Sequence, residues 1–204
     1  MAHRYIIISG GEFHPVPQPD PGVFVIACDR GYEYALRSGV RPDLVVSDFD
    51  SYGGEVAEGI QVLTLPCEKD DTDTMSAIRW ACEEGFEEIH LYCALGARLD
   101  HTLANLQALG WAAEHGMAAR IVSLDTLVVA LRDGSLRLPK REGFSLSVFS
   151  LSGESRVSIR GAKYPLEDAR ISSAFPVGVS NEWAEDEALV TAHDGTILIV
   201  ESKL

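Results

Sequence analysis

Leu44-Val45-Val46-Ser47-Asp48-Phe49-Asp50-Ser51 is an apolar run that breaks off into two carboxylates spaced two residues apart. The apolar half, Leu44 to Ser47, predicts a strand. At strand spacing Asp48 and Asp50 point to the same side. Two carboxylates on one side repel unless a cation lies between them, and a hard cation with oxygen ligands, such as magnesium, meets that demand. A polar turn after a buried strand is the competing reading of this octet taken alone.

Working outward, the flanking sequence alternates short apolar runs with helical patterns. Tyr5 to Ile8 predicts a strand, followed by Ser9-Gly10-Gly11; Val23 to Cys28 predicts another, ending at Asp29. Tyr32 to Ser38 predicts a helix stopped by Gly39, and Ile60 to Leu65 a strand. Thr72 to Glu84 predicts a helix stopped by Gly85, with Met75, Ile78, Arg79 and Cys82 near one stripe. Glu88 to Cys93 predicts a strand. Asp100 to His115 predicts a helix stopped by Gly116, with Leu103, Leu106, Gln107 and Gly110 at helical spacing, and Ala119 to Ser123 a further strand. Strands alternating with helices imply an α/β fold, a mostly parallel sheet flanked by helices.

Beyond about Asp125 the pattern changes. Leu127–Leu131 and Leu136–Pro139 flank Asp133-Gly134, and Ala188–Ala192 and Thr196–Val200 flank His193-Asp194-Gly195. Each arrangement predicts a hairpin with Asp-Gly as its turn. Phe144–Leu151 and Ser155–Arg160 alternate apolar with polar residues, and no helical pattern appears. The C-terminal part is therefore expected to be an antiparallel β-sandwich, giving two domains, 1–124 and 125–204.

The formal net charge of −14, from 17 Lys and Arg against 31 Asp and Glu, disfavours nucleic acid or an anionic membrane as partner. It permits a polyphosphate substrate when a divalent cation intervenes. The four cysteines, Cys28, Cys67, Cys82 and Cys93, form no CxxC pair and no zinc spacing, so they read as reduced thiols. No apolar run approaches the length of a membrane span, and Tyr5–Ile8 is too short for a signal-peptide core, so a cytoplasmic protein is expected.

In an open parallel sheet, ligands bind beyond the carboxyl ends of the strands. Here those ends carry Ser9-Gly10-Gly11, Asp29-Arg30-Gly31, Asp48-Phe49-Asp50, Lys69-Asp70-Asp71-Thr72-Asp73 and Gly96-Ala97-Arg98-Leu99-Asp100-His101. Helix capping explains one acid or threonine of the 70–73 run, but three acids in four positions exceed the needs of a cap. Asp70 and Asp73 face one way on a helical turn and, with Asp48 and Asp50, make an oxygen-rich set for magnesium. Gly96 lets backbone approach a ligand, and the planar fork of Arg98 suits phosphate oxygens. Lys69 reads either as a phosphate contact or as a solvated lysine, Asp100 as a helix cap or an acid, and His101 as a locally bonded histidine rather than a metal ligand.

Taken in order, Cys28-Asp29-Arg30-Gly31, Ser47-Asp48-Phe49-Asp50-Ser51, Lys69-Asp70-Asp71-Thr72-Asp73, and Gly96 through Asn105 resemble the motif series of the thiamine pyrophosphokinase (thiamin diphosphokinase) family. Gly178-Val179-Ser180-Asn181-Glu182 resembles the family's late Ser-Asn motif, so the resemblance covers nearly the whole chain. It implies an ATP-binding α/β domain followed by a sandwich, in a homodimer with thiamine bound between subunits. The implied reaction moves the pyrophosphoryl group of ATP to the thiamine hydroxyl, giving AMP and thiamine diphosphate. Carried onto this sequence, Asp48, Asp50 and Asp73 hold Mg2+ and act in catalysis with Asp100. ATP falls to Asp29, Gly31, Lys69, Asp70, Thr72, Gly96, Arg98, His101 and Asn105. Thiamine falls to Tyr164, Ser180 and Asn181, with Tyr164 in place of the tryptophan usual among relatives. Cys93 and Ala97 stand where many relatives carry glycine.

Two readings compete. A haloacid-dehalogenase-type phosphatase also ends a strand in DxD, with Asp48 as nucleophile and Asp50 as acid/base. A non-catalytic thiamine or nucleotide sensor would keep the fold alone, but has no need of so many repelling carboxylates.

Overall fold

The computed structural model of the chain describes residues 4–47, 56–65 and 71–204. It divides into two compact units, Met1–Ala108 with Ala119–Leu124, and Leu109–Ala118 with Asp125–Leu204. Among the described residues no helix is long and apolar enough to cross a membrane.

The first unit is an α/β sheet. Its strands are β1 (Arg4–Ile8), β2 (Phe24–Cys28), β3 (Leu44–Ser47), β4 (Gln61–Thr64), β5 (Glu88–Tyr92) and β6 (Ala118–Val122), lying side by side in the order β6-β5-β1-β2-β3-β4. The pairs β1–β2, β1–β5, β2–β3 and β3–β4 are all parallel, with Ile7 facing Ile26 on one side and Leu91 on the other. The chain steps outward from β1 to β4, then returns to the far side of β1 at β5. The order therefore reverses between β1 and β5, which places a crevice at their carboxyl ends. Ile7, Ile8, Ile26, Val46 and Leu91 are almost wholly buried, as the continuous apolar runs of central parallel strands require.

The intervening helices are α1 (Gly31–Arg37), α2 (Asp73–Glu83) and α3 (Leu99–Glu114). All three end on a glycine with positive φ: Gly39, Gly85 and Gly116. The residue after each glycine donates its N–H back to the helix, Val40 to Ala35, Phe86 to Ala81 and Met117 to Ala112, and the glycine itself donates three residues back. This is the Schellman arrangement, which satisfies two otherwise orphaned carbonyls and needs a left-handed residue. Sequence alone therefore located the three stops.

The buried faces of α2 and α3 follow the expected stripes only in part, Ile78 and Gly110 being buried. On α2 the buried side chains are Thr74, Ala77, Ile78 and Ala81, and Arg79 instead pairs with Asp71. On α3 they include Asn105, Ala108, Leu109 and Ala112, while Leu103 is exposed. Small residues let a helix axis come close to its neighbours, and on these faces alanines sit beside the fully buried Ile78 and Leu109.

The second unit is antiparallel. Its strands are β7 (Thr126–Pro139), β8 (Phe144–Ser150), β9 (Glu154–Arg160), β10 (Leu166–Ser172) and β11 (Glu187–Lys203). The two expected hairpins are not there: β7 runs straight through Asp133-Gly134, and β11 through His193-Asp194-Gly195. The two long strands pair with each other over their whole length, with a register shift between Ala192 and Thr196 opposite Gly134 and Arg132. Asp133 and Gly195 adopt positive φ there, so the Asp-Gly signals mark a bulge, not a turn. At that bulge β11 changes its other neighbour. Leu189–Ala192 and Asp194 pair with β9, whereas Ile197–Lys203 pair with β8. Strand β10, which sequence analysis did not anticipate, pairs with β9. Leu146, Val148, Val157, Ile159, Val190 and Ile197 fill the core of this unit.

Candidate functional site

The crevice at the carboxyl ends of β1 and β5 is built from close backbone approaches. After β1, the Gly11 N–H donates to the carbonyl of Cys93 at 2.7 Å, and the Glu12 N–H to that of Leu95 at 2.8 Å. A Cβ on Gly11 would lie 2.5 Å from the Leu95 carbonyl oxygen, so only glycine fits. Helix α1 starts equally tightly: a Cβ on Gly31 would lie 1.9 Å from the carbonyl oxygen of Ile8. The buried Ser9 hydroxyl meets that of Thr74 at 2.9 Å and ties the end of β1 to the first turn of α2.

Left-handed backbone gathers on this rim. Asp29, Cys93 and Ala97 have φ of 50°, 50° and 53°. Such conformations strain any residue with a Cβ, and strain held in place by its surroundings is a recurring property of ligand-binding edges.

Asp29 sits just past β2, its N–H bonded to the Val46 carbonyl at 3.1 Å, and its own carbonyl accepts from the Tyr32 N–H at the start of α1. Thr72 is the N-cap of α2, its hydroxyl accepting from the Met75 N–H at 3.1 Å. Asp73 is the first residue of that helix, where the dipole favours a negative charge. Asp71 is engaged by Arg79. Gly96, at φ 72°, packs over Glu12. Arg98 and Asp100 are exposed and form a two-point pair, Nε to Oδ1 at 3.1 Å and the terminal nitrogen to Oδ2. Asp100 also accepts from the N–H of His101 at 3.0 Å, and His101 itself is exposed. The hydrogen bond from Arg98 holds the Asp100 carboxyl below the ordinary range, and Asp100 in turn raises Arg98. Asn105 is buried and donates its amide to the Ala94 carbonyl at 2.7 Å, anchoring the segment after β5. Asp48, Asp50, Lys69 and Asp70 lie outside the described residues.

One residue of this rim escaped sequence analysis. The Cys93 N–H donates to His14 Nε2 at 3.1 Å, and the Cys93 thiol to the His14 carbonyl at 3.5 Å. Burial also pushes that thiol up from its ordinary pKa. His14 lies in Glu12-Phe13-His14-Pro15, which has neither periodicity nor a motif to flag it.

In the second unit, Tyr164 is 61% exposed and borders a cavity of about 150 Å³ with Ile159, Leu166, Val177, Gly178, Val179 and Asn181. Asn181 is buried and acts as a clamp. Its Oδ1 accepts from the N–H groups of Tyr164 at 3.0 Å and Glu182 at 2.9 Å, and its amide donates to the Tyr164 carbonyl at 2.8 Å. Ser180 has φ 56°, and its N–H donates to the Ser147 hydroxyl at 3.0 Å. Lys163 pairs with Glu182 at 2.9 Å.

A parallel sheet reversing at β1/β5, with glycine-lined backbone and an arginine on its carboxyl edge, defines an α/β protein built to take a phosphate-bearing ligand. The comparisons narrow this. A thiamin pyrophosphokinase catalytic-domain family model matches residues 21–121, and the model of that enzyme's vitamin B1 binding domain matches residues 135–197. The thiamine pyrophosphokinase of Bacillus subtilis (strain 168) is 25% identical over 207 residues, covering 96% of this chain and 97% of that protein. The crystal structure of the Bacillus subtilis thiamine pyrophosphokinase superposes with a TM-score of 0.88 at 24% identity, covering 98% of this chain and 99% of the other. That of the Geobacillus thermodenitrificans thiamin pyrophosphokinase gives 0.85 at 26%, covering 98% of each. The chain belongs to the thiamin pyrophosphokinase family, enzymes that transfer the pyrophosphoryl group of ATP to thiamine. Of the three readings the sequence raised, the pyrophosphokinase is the one these matches support.

Proposed function

We propose that this chain has an ATP-binding domain of residues 1–124, with ATP on the carboxyl rim of the parallel sheet, and a thiamine-binding domain of residues 125–204. The products are AMP and thiamine diphosphate. The observation that carries this reading is the β1/β5 switch point. There Gly11 and Gly31 let main chain close tightly on main chain, and Arg98 stands on the segment after β5. In this scheme the thiamine hydroxyl attacks the β-phosphorus in line. The new bond joins thiamine oxygen to that phosphorus, the bridge to the α-phosphate breaks, AMP departs with the bridging oxygen, and the hydroxyl proton passes to a carboxylate. Positioning and charge neutralisation carry most of such a step.

The donor set suits Mg2+. Asp73 supplies a hard oxygen at the first position of α2, and Asp48 and Asp50 follow directly on β3, although no cluster of three such groups occurs among the described residues alone. Held there, magnesium would neutralise charge on the polyphosphate. The chain's own contributions are separable from it. Arg98 leaves Asp100 to grip phosphate oxygens. The freed Asp100, with the 73 carboxylate, is a candidate proton acceptor. Asp29, Gly31, Lys69, Asp70, Thr72, Gly96, His101 and Asn105 shape the nucleotide side, Asn105 by holding Ala94.

The antiparallel unit reads as a β-sandwich, supported by the way β11 shares its two halves between β9 and β8. Tyr164 offers a ring face to the cationic thiazolium, the kind of contact an aromatic face makes with a positive charge. Asn181 acts chiefly by setting the backbone of Tyr164. The active form is a cytoplasmic homodimer, with Tyr164, Ser180 and Asn181 of one subunit completing the site of the other. The test is AMP release from ATP and magnesium, with and without thiamine. Thiamine-dependent AMP with a product heavier by a diphosphate is expected, and Asp73→Asn should cut turnover at least about a hundredfold. Phosphate release regardless of thiamine would overturn the reading.

A further inference from the structure

The segment after β5 is held from one side by the segment after β1: the Glu12 N–H donates to the Leu95 carbonyl, and three further ties converge on Cys93. Its carbonyl accepts from Gly11, its thiol donates to the His14 carbonyl, and its N–H donates to the His14 ring. Because that N–H is the donor, Nε2 carries the lone pair and the ring proton sits on Nδ1, which faces the Pro15 carbonyl at 3.3 Å. His14 is only 8% exposed. Cys93 meanwhile holds φ at 50°, a conformation that costs a non-glycine residue energy and persists only when its surroundings enforce it. Three residues on come Gly96, Ala97 and Arg98.

We propose that His14 is a positioning residue for the nucleotide-binding segment 93–98: by accepting the Cys93 N–H it fixes the left-handed turn that aims Arg98 at the polyphosphate. The inference rests on the assignment of that segment to ATP made above. Without the acceptor, the Cys93 N–H is buried and unpaired, and the backbone turns back toward an extended conformation to find a partner. The aim of Arg98 is then lost, although Arg98 itself is unchanged.

The experiment measures binding of α,β-methylene-ATP with magnesium by calorimetry, together with KM for ATP, KM for thiamine and kcat, on the full chain. His14→Ala should weaken nucleotide binding about tenfold, with KM for thiamine unchanged. His14→Gln, whose Oε1 falls where Nε2 was, should recover most of it. His14→Asn, whose oxygen falls at Nδ1 instead, should not, and this pair decides the matter if the alanine variant fails to fold. Glycine adopts the left-handed turn without enforcement, so the His14→Ala penalty should shrink when introduced alongside Cys93→Gly. Unchanged nucleotide affinity in His14→Ala, equal behaviour of the Gln and Asn variants, or the same penalty in both backgrounds would overturn the proposal. Arg98→Ala separates the two levels. If it too leaves nucleotide affinity intact, the assignment of the segment to ATP falls, and the inference with it. If it weakens binding while His14→Ala does not, only the inference falls.

Discussion

Replacing Gly31 by alanine places one methyl group where the structure has no room. The new Cβ would lie 1.9 Å from the Ile8 carbonyl oxygen and 2.7 Å from its carbon. A carbon–oxygen contact needs about 3.3 Å, so helix α1 would have to withdraw from β1 by more than about 1 Å. Both clashing atoms are main chain, and no rotamer change relieves them. The withdrawal loosens Tyr32, Tyr34 and Ala35, all buried on that helix. Overpacking of this kind costs about 3 kcal/mol, offset by about 0.5 kcal/mol because alanine narrows the unfolded ensemble. For a chain of this size the expected fall in Tm is about 5–10 °C. Gly85→Ala is the control in the same unit: it meets nothing within 4 Å and carries only the penalty of its φ of 79°. That strain is worth about 1 kcal/mol, or about 2–4 °C. Thermal melts followed by far-UV circular dichroism, with both variants read on the same transition, provide the measurement. If Gly31→Ala melts no lower than Gly85→Ala, α1 does not approach β1 as closely as described and the reasoning fails.

Two further outcomes follow from the described contacts. Glu88 bonds to His90 at 2.8 Å, Arg4 at 3.1 Å and Arg120 at 3.1 Å. Burial raises its pKa, but hydrogen bonds from His90 and Arg4 and the nearby positive charges outweigh this and hold it below the ordinary value. Burial likewise lowers His90, against the pull of Glu88, so at pH 7 the ring is neutral and the two arginines are the charges that hold Glu88. Both folded-state values lie below the unfolded ones, so both groups contribute stability above the unfolded values and lose it on acidification, His90 below about pH 6.5 and Glu88 below about pH 4.3. His90→Gln should therefore flatten the decline in urea-unfolding free energy between pH 7 and pH 5, and an unchanged slope would refute the assignment. Asn181→Leu removes three hydrogen bonds to the backbone of residues 164 and 182 and should cost about 2–3 kcal/mol in chemical denaturation. It should also raise KM for thiamine while leaving KM for ATP near wild type; an equal rise in both would count against a thiamine-side role for Tyr164.

The sequence by itself determined the parallel strands of the first unit and the ends of its helices. Both are local: a β-branched apolar run such as Leu44–Ser47 suits one buried strand, and Gly39, Gly85 and Gly116 each supply a conformation the helix end requires. The resemblance of the motif series also pointed to Asp29, Thr72, Asp73, Gly96, Arg98 and Asn105; groups that follow a strand directly, as Asp29 does, collect on one edge of a parallel sheet. Tertiary structure decided what depends on a partner distant in sequence. The Asp-Gly pairs read as hairpin turns because a turn needs only neighbours, whereas β7 and β11 run on through them because each has the other to pair with over its whole length. The inner faces of α2 and α3, where alanines sit beside Ile78 and Leu109, depend on how closely each helix approaches its neighbours. His14 and Cys93 lie 79 residues apart, and nothing in either one's neighbourhood announces the bond between them. It exists because β5 returns to pair beside β1 and brings the two segments that follow those strands against each other.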